Sequence, residues 1–402
     1  MANPAISDFG TFNAITDYMS KSYVNEIIRL SPNGSSPLFN ILSTTTAEKM
    51  AKSKFHGYFT KTMLFPAVTL TAAVADGTAT TFTVASTAGI LPGDLLQAAG
   101  GAKEQVRVTT INSTTSLSVT RGFGTIAAVA IANSTVLYQV GNVFEDASSR
   151  PQPRAMMPTN VLNFTQTFRN TWGVSRSSAA FDPIAGNSII AESQEDMKLF
   201  HAASIEQQLL FGQRFQGTAN GQMICSMDGI VESVRRMAPI ANTNTAGGTT
   251  NFAQLEGFLN PTVDTQVRGR EGSMRTLFVG GKAKTVINNI GKTTGQYQMA
   301  QGQTQFGMQF AEFYTSRAQF RVIEHPMLNA NPAWTSMAIA VDTSQLSLAY
   351  VPNAKQQEIS YNTRGEFTTG EDSVGGDILS ELTLENLNPT AHAVIYGLTA
   401  AA

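Results

Sequence analysis

Residues 187–215, NSIIAESQEDMKLFHAASIEQQLLFGQRF, decide the fold. Met197, Phe200, Ser204/Ile205, Leu209 and Gly212 recur at steps of three and four, the spacing of one helical face. Gln194, Lys198, Gln207 and Gln208 fall largely elsewhere. Glu192, Glu195 and Asp196 crowd the first turns, where the helix dipole favours anions, so this acidic cluster needs no carboxylate chemistry to explain it. A helix of roughly 25 residues is near 38 Å long at about 1.5 Å per residue, which is long for a globular protein. Gly217 to Gly221 is expected to stop it. A short helix at Ile230–Met237 follows, and then a polar stretch without periodicity, Asn242 to Asn251.

Upstream, residues 51–66 and 150–170 read as two limbs of one ribbon. The first sets Lys52, Lys54 and Lys61 among Phe55, Tyr58, Phe59, Met63 and Phe65. The second alternates Leu162, Phe164 and Phe168 with Asn163, Thr165 and Thr167, the period of a strand. Pro151, Pro153 and Pro158 bring the chain into it extended. Between the limbs, residues 67–141 carry only six charged residues in a Thr/Val/Ala/Gly background. Asp76-Gly77 and Leu91-Pro92-Gly93-Asp94 are turns, and Thr81–Val84, Glu104–Ile111, Thr115–Thr120 and Thr135–Val140 are strands, so a small all-β module is inserted in the ribbon.

Residues 1–50 form an arm in which Phe12, Ile15, Met19, Tyr23 and Ile27 outline an amphipathic helix ended by Ser31-Pro32-Asn33-Gly34. Position alone does not separate a core-packed first helix from an arm that seeks a neighbour's surface. The last third alternates strands and helices: Thr276–Val279, a helix Lys282–Ile290 after Gly280-Gly281, then Gln319–Ile323, Met337–Val341 and Leu346–Tyr350. Ile378–Leu387 alternates with Glu381 and Glu385 expected outward. The class is α+β.

Composition narrows the function. Hydrophobic residues make up 42% and charged residues 14%, so the chain can build a core and its surface is mostly neutral and polar, a surface suited to contact with copies of itself. Lys+Arg 27 against Asp+Glu 29 lacks the basic excess of a general nucleic-acid binder. One cysteine, Cys225, excludes an intrachain disulfide framework, and histidines at 56, 201, 325 and 392 form no metal motif. The longest apolar run, Ile126–Ala132, is far short of a membrane span, and the first thirty residues hold no apolar signal core. A protein made and kept in a cytoplasm is expected. Gly122-Phe123-Gly124-Thr125-Ile126-Ala127 has the letters of a dinucleotide fingerprint without its strand–helix frame and reads as a turn between strands. Gly280-Gly281-Lys282 reads as a tight strand-to-helix turn, His201 as a packed or surface residue, and Cys225 as a small buried one. Arg268, Arg270, Arg275, Lys282 and Lys284 read as a solvated basic face. No catalytic, cofactor-binding or metal-binding residue emerges, and no cofactor is expected.

The order of parts, arm, ribbon, long helix and mixed α/β lobe, resembles the major capsid protein of tailed bacteriophages, the Hong-Kong-97-type fold. Val119-Thr120-Arg121-Gly122-Phe123-Gly124-Thr125 is similar to the end of the β-rich insertion found in one branch of that family. Also similar are Ile205-Glu206-Gln207-Gln208-Leu209-Leu210-Phe211-Gly212 followed by Met227-Asp228-Gly229-Ile230, and Phe313-Tyr314-Thr315 leading to Phe320-Arg321-Val322-Ile323. Glu381-Leu382-Thr383-Leu384-Glu385-Asn386-Leu387-Asn388, then Ala391-His392-Ala393-Val394-Ile395, completes the set.

The resemblance implies an N-terminal arm (1–50), an extended loop (51–66 and 142–170) and an inserted all-β domain (67–141). It further implies a peripheral domain (171–240) with a spine helix at 187–215, and an axial domain (241–402) whose late strands return to the peripheral one. Its function would be structural: self-assembly, as hexamers and pentamers, into the icosahedral head shell around the DNA genome. Phe9, Phe12, Tyr18 and Tyr23 on the arm, with Lys54, Phe55, Tyr58, Phe164 and Phe168 on the ribbon, are the expected intersubunit contacts. Expected partners are the chain itself, a portal, separate scaffold or decoration proteins, and packaged DNA through weak non-specific contact, with no membrane. The place is the virion, after assembly in the host cytoplasm. An encapsulin-like nanocompartment shell and an enzyme with an unrecognised site are the alternatives.

Overall fold

The computed structural model describes residues 36–45, 49–61, 66–75, 77–98, 104–155, 157–181, 183, 188–264, 267, 274–294, 303–305, 308–361 and 372–399. The expected arm helix, the turn at Asp76 and the basic residues Arg268 and Arg270 lie outside these. The chain divides into two compact units, one within Met1–Tyr58 and Val161–Ala402, the other Phe59–Asn160.

In the first unit the long helix spans Ile189–Phe211, capped by Ser188, whose hydroxyl accepts from the Ala191 N–H at 3.1 Å. The cap satisfies a donor that the first turn leaves without an intrahelical partner. Its inward stripe is Met197, His201, Ile205 and Leu209, each four residues after the last. Phe200 is not on that stripe; it is 67% exposed. His201 takes the inward place because Asn170 and Ser380 meet its two ring nitrogens at 2.8 and 2.9 Å, which removes the cost of burying an imidazole. The helix packs on strand Gln166–Ser175, which pairs antiparallel with the long strand Ser373–Asn386 over ten residue pairs. On the opposite edge of that long strand lie Leu346–Tyr350 and Gln357–Tyr361, and Lys49–Met50 adds beside Leu346–Tyr350.

A second sheet of seven strands runs in the order Thr243–Thr245, Ala393–Tyr396, Ala338–Val341, Met274–Val279, Gln319–Glu324, Met308–Tyr314, Gln303–Gln305. Its central strands are covered on both faces. Phe278, Ile339 and Val394 join one core, and Leu277, Val279, Ala338, Ala340 and Ile395 join another. Burial on both faces is why these strands read as continuous apolar runs and not as alternating ones. Gly280 makes the turn into helix Gly281–Thr294, because a Cβ there would lie 2.4 Å from the Thr335 carbonyl oxygen. Helix Ile230–Met237 stands where the periodicity puts it.

The second unit holds a six-stranded sheet in the order Ala67–Thr69, Val136–Asn142, Asp94–Ala98, Gln105–Ser113, Ser116–Thr120, Thr81–Thr83. It has its own core, with Phe82, Leu96, Val106, Val108, Leu117 and Leu137 at its centre. Buried Arg121 pairs with buried Glu104, stacks over Phe82 and donates to the Val129 carbonyl at 2.6 Å. The Gly122–Ala127 loop is therefore closed onto the sheet, with no helix after it.

Three expectations change. Gly217 and Gly221 do not merely end the helix: Phe215–Ala219 and Gln222–Ser226 form a β-hairpin turning through Asn220 and Gly221, both at positive φ. Cys225 is half-exposed on that hairpin. Arg275 is no part of a basic face; it is 1% exposed and pairs with Asp342 at 3.0 Å inside the fold.

Candidate interaction surface

The ribbon begins where strand Phe55–Thr60 pairs with Thr159–Phe164. Gly57 permits the close approach, since a Cβ there would sit 2.5 Å from the Val161 carbonyl oxygen. The root is fastened by charge. Glu381 and Glu385, four apart on the long strand, share one face, and that face is turned toward the ribbon and not outward to solvent. Glu385 receives Lys49 and, at 2.8 Å, the His56 ring. Glu381 receives Lys54 and the Thr165 hydroxyl, the latter at 2.8 Å. Burial alone would raise the Glu385 carboxyl, but hydrogen bonds from His56 and Lys49 overcome it and hold the group at about 2.

Tyr58 donates its hydroxyl to the Asn386 carbonyl, and burial, then the nearby Glu385 charge, push that hydroxyl up to about 12. Asn163 bridges three segments. Its amide donates to the Leu384 carbonyl at 2.8 Å, while its oxygen accepts from the Asp228 N–H at 2.7 Å. Asp228 pairs with Arg236; burial nevertheless keeps its carboxyl above the ordinary value. A cavity of about 20 Å³ among these groups has room for one water.

The expected contact residues divide. Phe9, Phe12, Tyr18 and Tyr23 lie outside the described residues. Phe55 is 43% exposed and meets half-buried Phe164 edge to face at 5.5 Å. Lys54 and Tyr58 are committed to partners of their own subunit, as above. Phe168 is corrected from a surface contact to a core residue: it is 6% exposed, packs in the main core and meets His201 edge-on.

Sequence reasoning missed Glu206. Fully buried on the long helix, it accepts from the Leu38 and Phe39 N–H groups at 2.8 and 2.7 Å and from His325 at 2.7 Å. It thereby pins the start of helix Pro37–Thr45. A glutamate inside an apolar helix stripe was the available signal. Among the described residues no cluster of His, Cys, Asp or Glu could hold a metal ion. In the cleft beside His201, both ring nitrogens are engaged within the fold, by Asn170 and Ser380, and burial pushes the imidazole below its ordinary value.

The sequence profile of the family described as SU10 major capsid protein matches residues 6–399. The major capsid protein of Pseudomonas phage PaMx41 is 34% identical over 394 residues, covering 94% of this chain and 92% of that one. Among solved structures, one from Gordonia phage Cozz aligns with a TM-score of 0.48 at 14% identity, covering 100% of this chain and 98% of the other. The holo-SrpI encapsulin complex from Synechococcus elongatus PCC 7942 aligns with a TM-score of 0.43 at 9% identity, over 61% of this chain and 80% of that one.

Proposed function

The chain belongs to the SU10 major capsid protein family, and from that premise we propose that it self-assembles, as hexamers and pentamers, into the icosahedral head shell of a tailed bacteriophage. The observation that carries this reading is a family match spanning residues 6–399. The role is structural and not catalytic. In this reading residues 51–66 and 142–170 are the extended loop, 67–141 the inserted domain, 171–240 the peripheral domain and 241–402 the axial domain, whose late strands return beside Gln166–Ser175. The arm residues Phe9, Phe12, Tyr18 and Tyr23, with Phe55 and Phe164 on the ribbon, reach neighbouring copies. Portal, scaffold and decoration proteins are separate chains, and the packaged DNA is met only weakly, as the net charge of −2 suggests. Assembly takes place in the host cytoplasm and ends in the virion.

The charge-poor surface supports the reading, because a subunit surrounded by copies of itself must desolvate whatever it presents at each contact. The test is sedimentation of recombinant protein, alone and with the phage's own scaffold, with negative-stain imaging of the fast fraction. Closed shells or capsomer rings are expected. A chain that stays monomeric in both conditions refutes the proposal.

A further inference from the structure

The hairpin Phe215–Ser226 leaves the body of its unit through a narrow neck. The Gly229 N–H donates to the Gly212 carbonyl at 2.9 Å, and a Cβ on Gly212 would come within 2.5 Å of the Gln208 carbonyl oxygen. The neck is tied below by the Gln208 amide, which donates to the Ser226 hydroxyl at 2.7 Å. Beyond it, the two strands pair only with each other among the described strands, so neither outer backbone edge has a strand partner there. The side chains they carry are also unusual for a solvated hairpin. Phe215, Met223 and Ile224 are 56%, 47% and 45% exposed. The register sets Gly217 opposite Ile224 and Thr218 opposite Met223, so apolar side chains emerge from both faces. On one face the Phe215 ring lies over Gly217 next to Ile224.

We infer that this hairpin docks on a second copy of the same chain, as a contact element of the shell additional to the arm and the ribbon. The inference rests on the shell reading. No residue from Phe215 to Ser226 is ionisable as Asp, Glu, Lys, Arg or His, so neither nucleic acid nor a highly charged partner gains a Coulombic foothold there. A neutral, half-apolar element whose outer edges pair with no other described strand matches a partner that is itself only 14% charged. The hairpin also meets the ribbon. Arg214, at the hairpin's base, donates to the Leu162 carbonyl at 2.9 Å and stacks over Phe164, which places the hairpin's base beside the exposed ribbon residues Phe55 and Leu162.

The chain's single cysteine makes the test direct. Cys225 sits half-exposed on the hairpin, so a maleimide reports on that element alone. Particles assembled from purified chain, with or without scaffold that is later removed, are compared with the free subunit. The labelling rate is expected to fall at least tenfold on assembly. Benzophenone placed on the cysteines that do react should, on irradiation, give a product with the mass of two chains. The double variant Phe215→Ser/Ile224→Ser changes only exposed side chains. It should keep the thermal midpoint of the subunit and lose at least tenfold in particle yield.

Particles whose Cys225 reacts as fast as in the free subunit overturn the inference, as does a double variant that assembles at the wild-type yield. A double variant that loses its thermal midpoint assigns the hairpin to the subunit's own fold and overturns it equally. A wild-type chain that forms no particle under any of these conditions removes the shell reading itself, an outcome distinct from particles with a reactive hairpin.

Discussion

Glu385 concentrates the electrostatics of the ribbon root, and its protonation has a predictable sign. Its folded value of about 2 lies below the ordinary 4.5, so the stability it contributes is present above 4.5 and is lost as pH falls toward 2. A shift of that size corresponds to about 3 kcal/mol at most. His392 acts in the same direction higher on the scale. Fully buried among Asp342, Asn386 and the charge of Arg275, its imidazole is held down to about 3, first by burial and then by Arg275. Because an unfolded histidine protonates near 6.5, each pH unit between 6.5 and 3 costs about 1.4 kcal/mol through this group. Urea midpoints of the subunit at pH 7, 5.5, 4 and 3 should therefore decline steadily. Glu385→Gln should be less stable at pH 7 and show a flatter decline below 4.5. A variant with the wild-type slope in that window would show that the carboxylate is not held by Lys49 and His56.

The elements differ in how openly they were written. Ile230–Met237 was legible because its period and its arginine-rich last turn agree, and the long helix because its apolar steps recur from Met197 to Leu209. The Thr-rich strands of 105–120 were legible because one face is buried and the other wet. The hairpin was not, since Gly217 and Gly221 carry the same letters whether a chain stops or turns back. Nor was the facing of Glu381 and Glu385: local alternation puts charge outside, and the basic partners that bring these two inward, Lys49, Lys54 and His56, lie more than 300 positions away. Arg275 misled for the same reason, its partner Asp342 being remote in sequence. Glycines at the neck were visible as letters, but their necessity comes from packing. Gly229→Ala would set a Cβ 2.6 Å from the Gly212 nitrogen and 2.7 Å from the Gln208 carbonyl oxygen, both backbone atoms, and should cost about 1–3 kcal/mol. Gly257→Ala is the control. It lies exposed within helix Phe252–Leu259 with nothing within 4 Å of the added carbon, and should stabilise by about 0.5–1 kcal/mol. Denaturant titrations of the two variants should move in opposite directions.

For the whole molecule, the question is whether the two units depend on each other to fold. The core of Phe59–Asn160 draws every member from between Val68 and Leu137, and the other three buried clusters draw none from that span. Apolar burial is the main favourable term in folding, so a unit that completes its own core needs no neighbour for stability. The chain ends left by removing 59–160 are already adjacent, because Gly57 packs against Val161 in the paired strands of the ribbon root. A two-residue Asn-Gly turn can join Tyr58 to Val161, the connection such antiparallel strands favour. The shortened chain should unfold cooperatively, with a thermal midpoint within a few degrees of the matching transition in the full chain. Residues 59–160 expressed alone should give dispersed amide resonances and a separate melting transition. Calorimetry of the full chain should then resolve into two components, each matching one of the pieces. A single transition that neither piece reproduces would mean that the inserted unit is held up by its host, and that shell assembly and module stability cannot be altered independently.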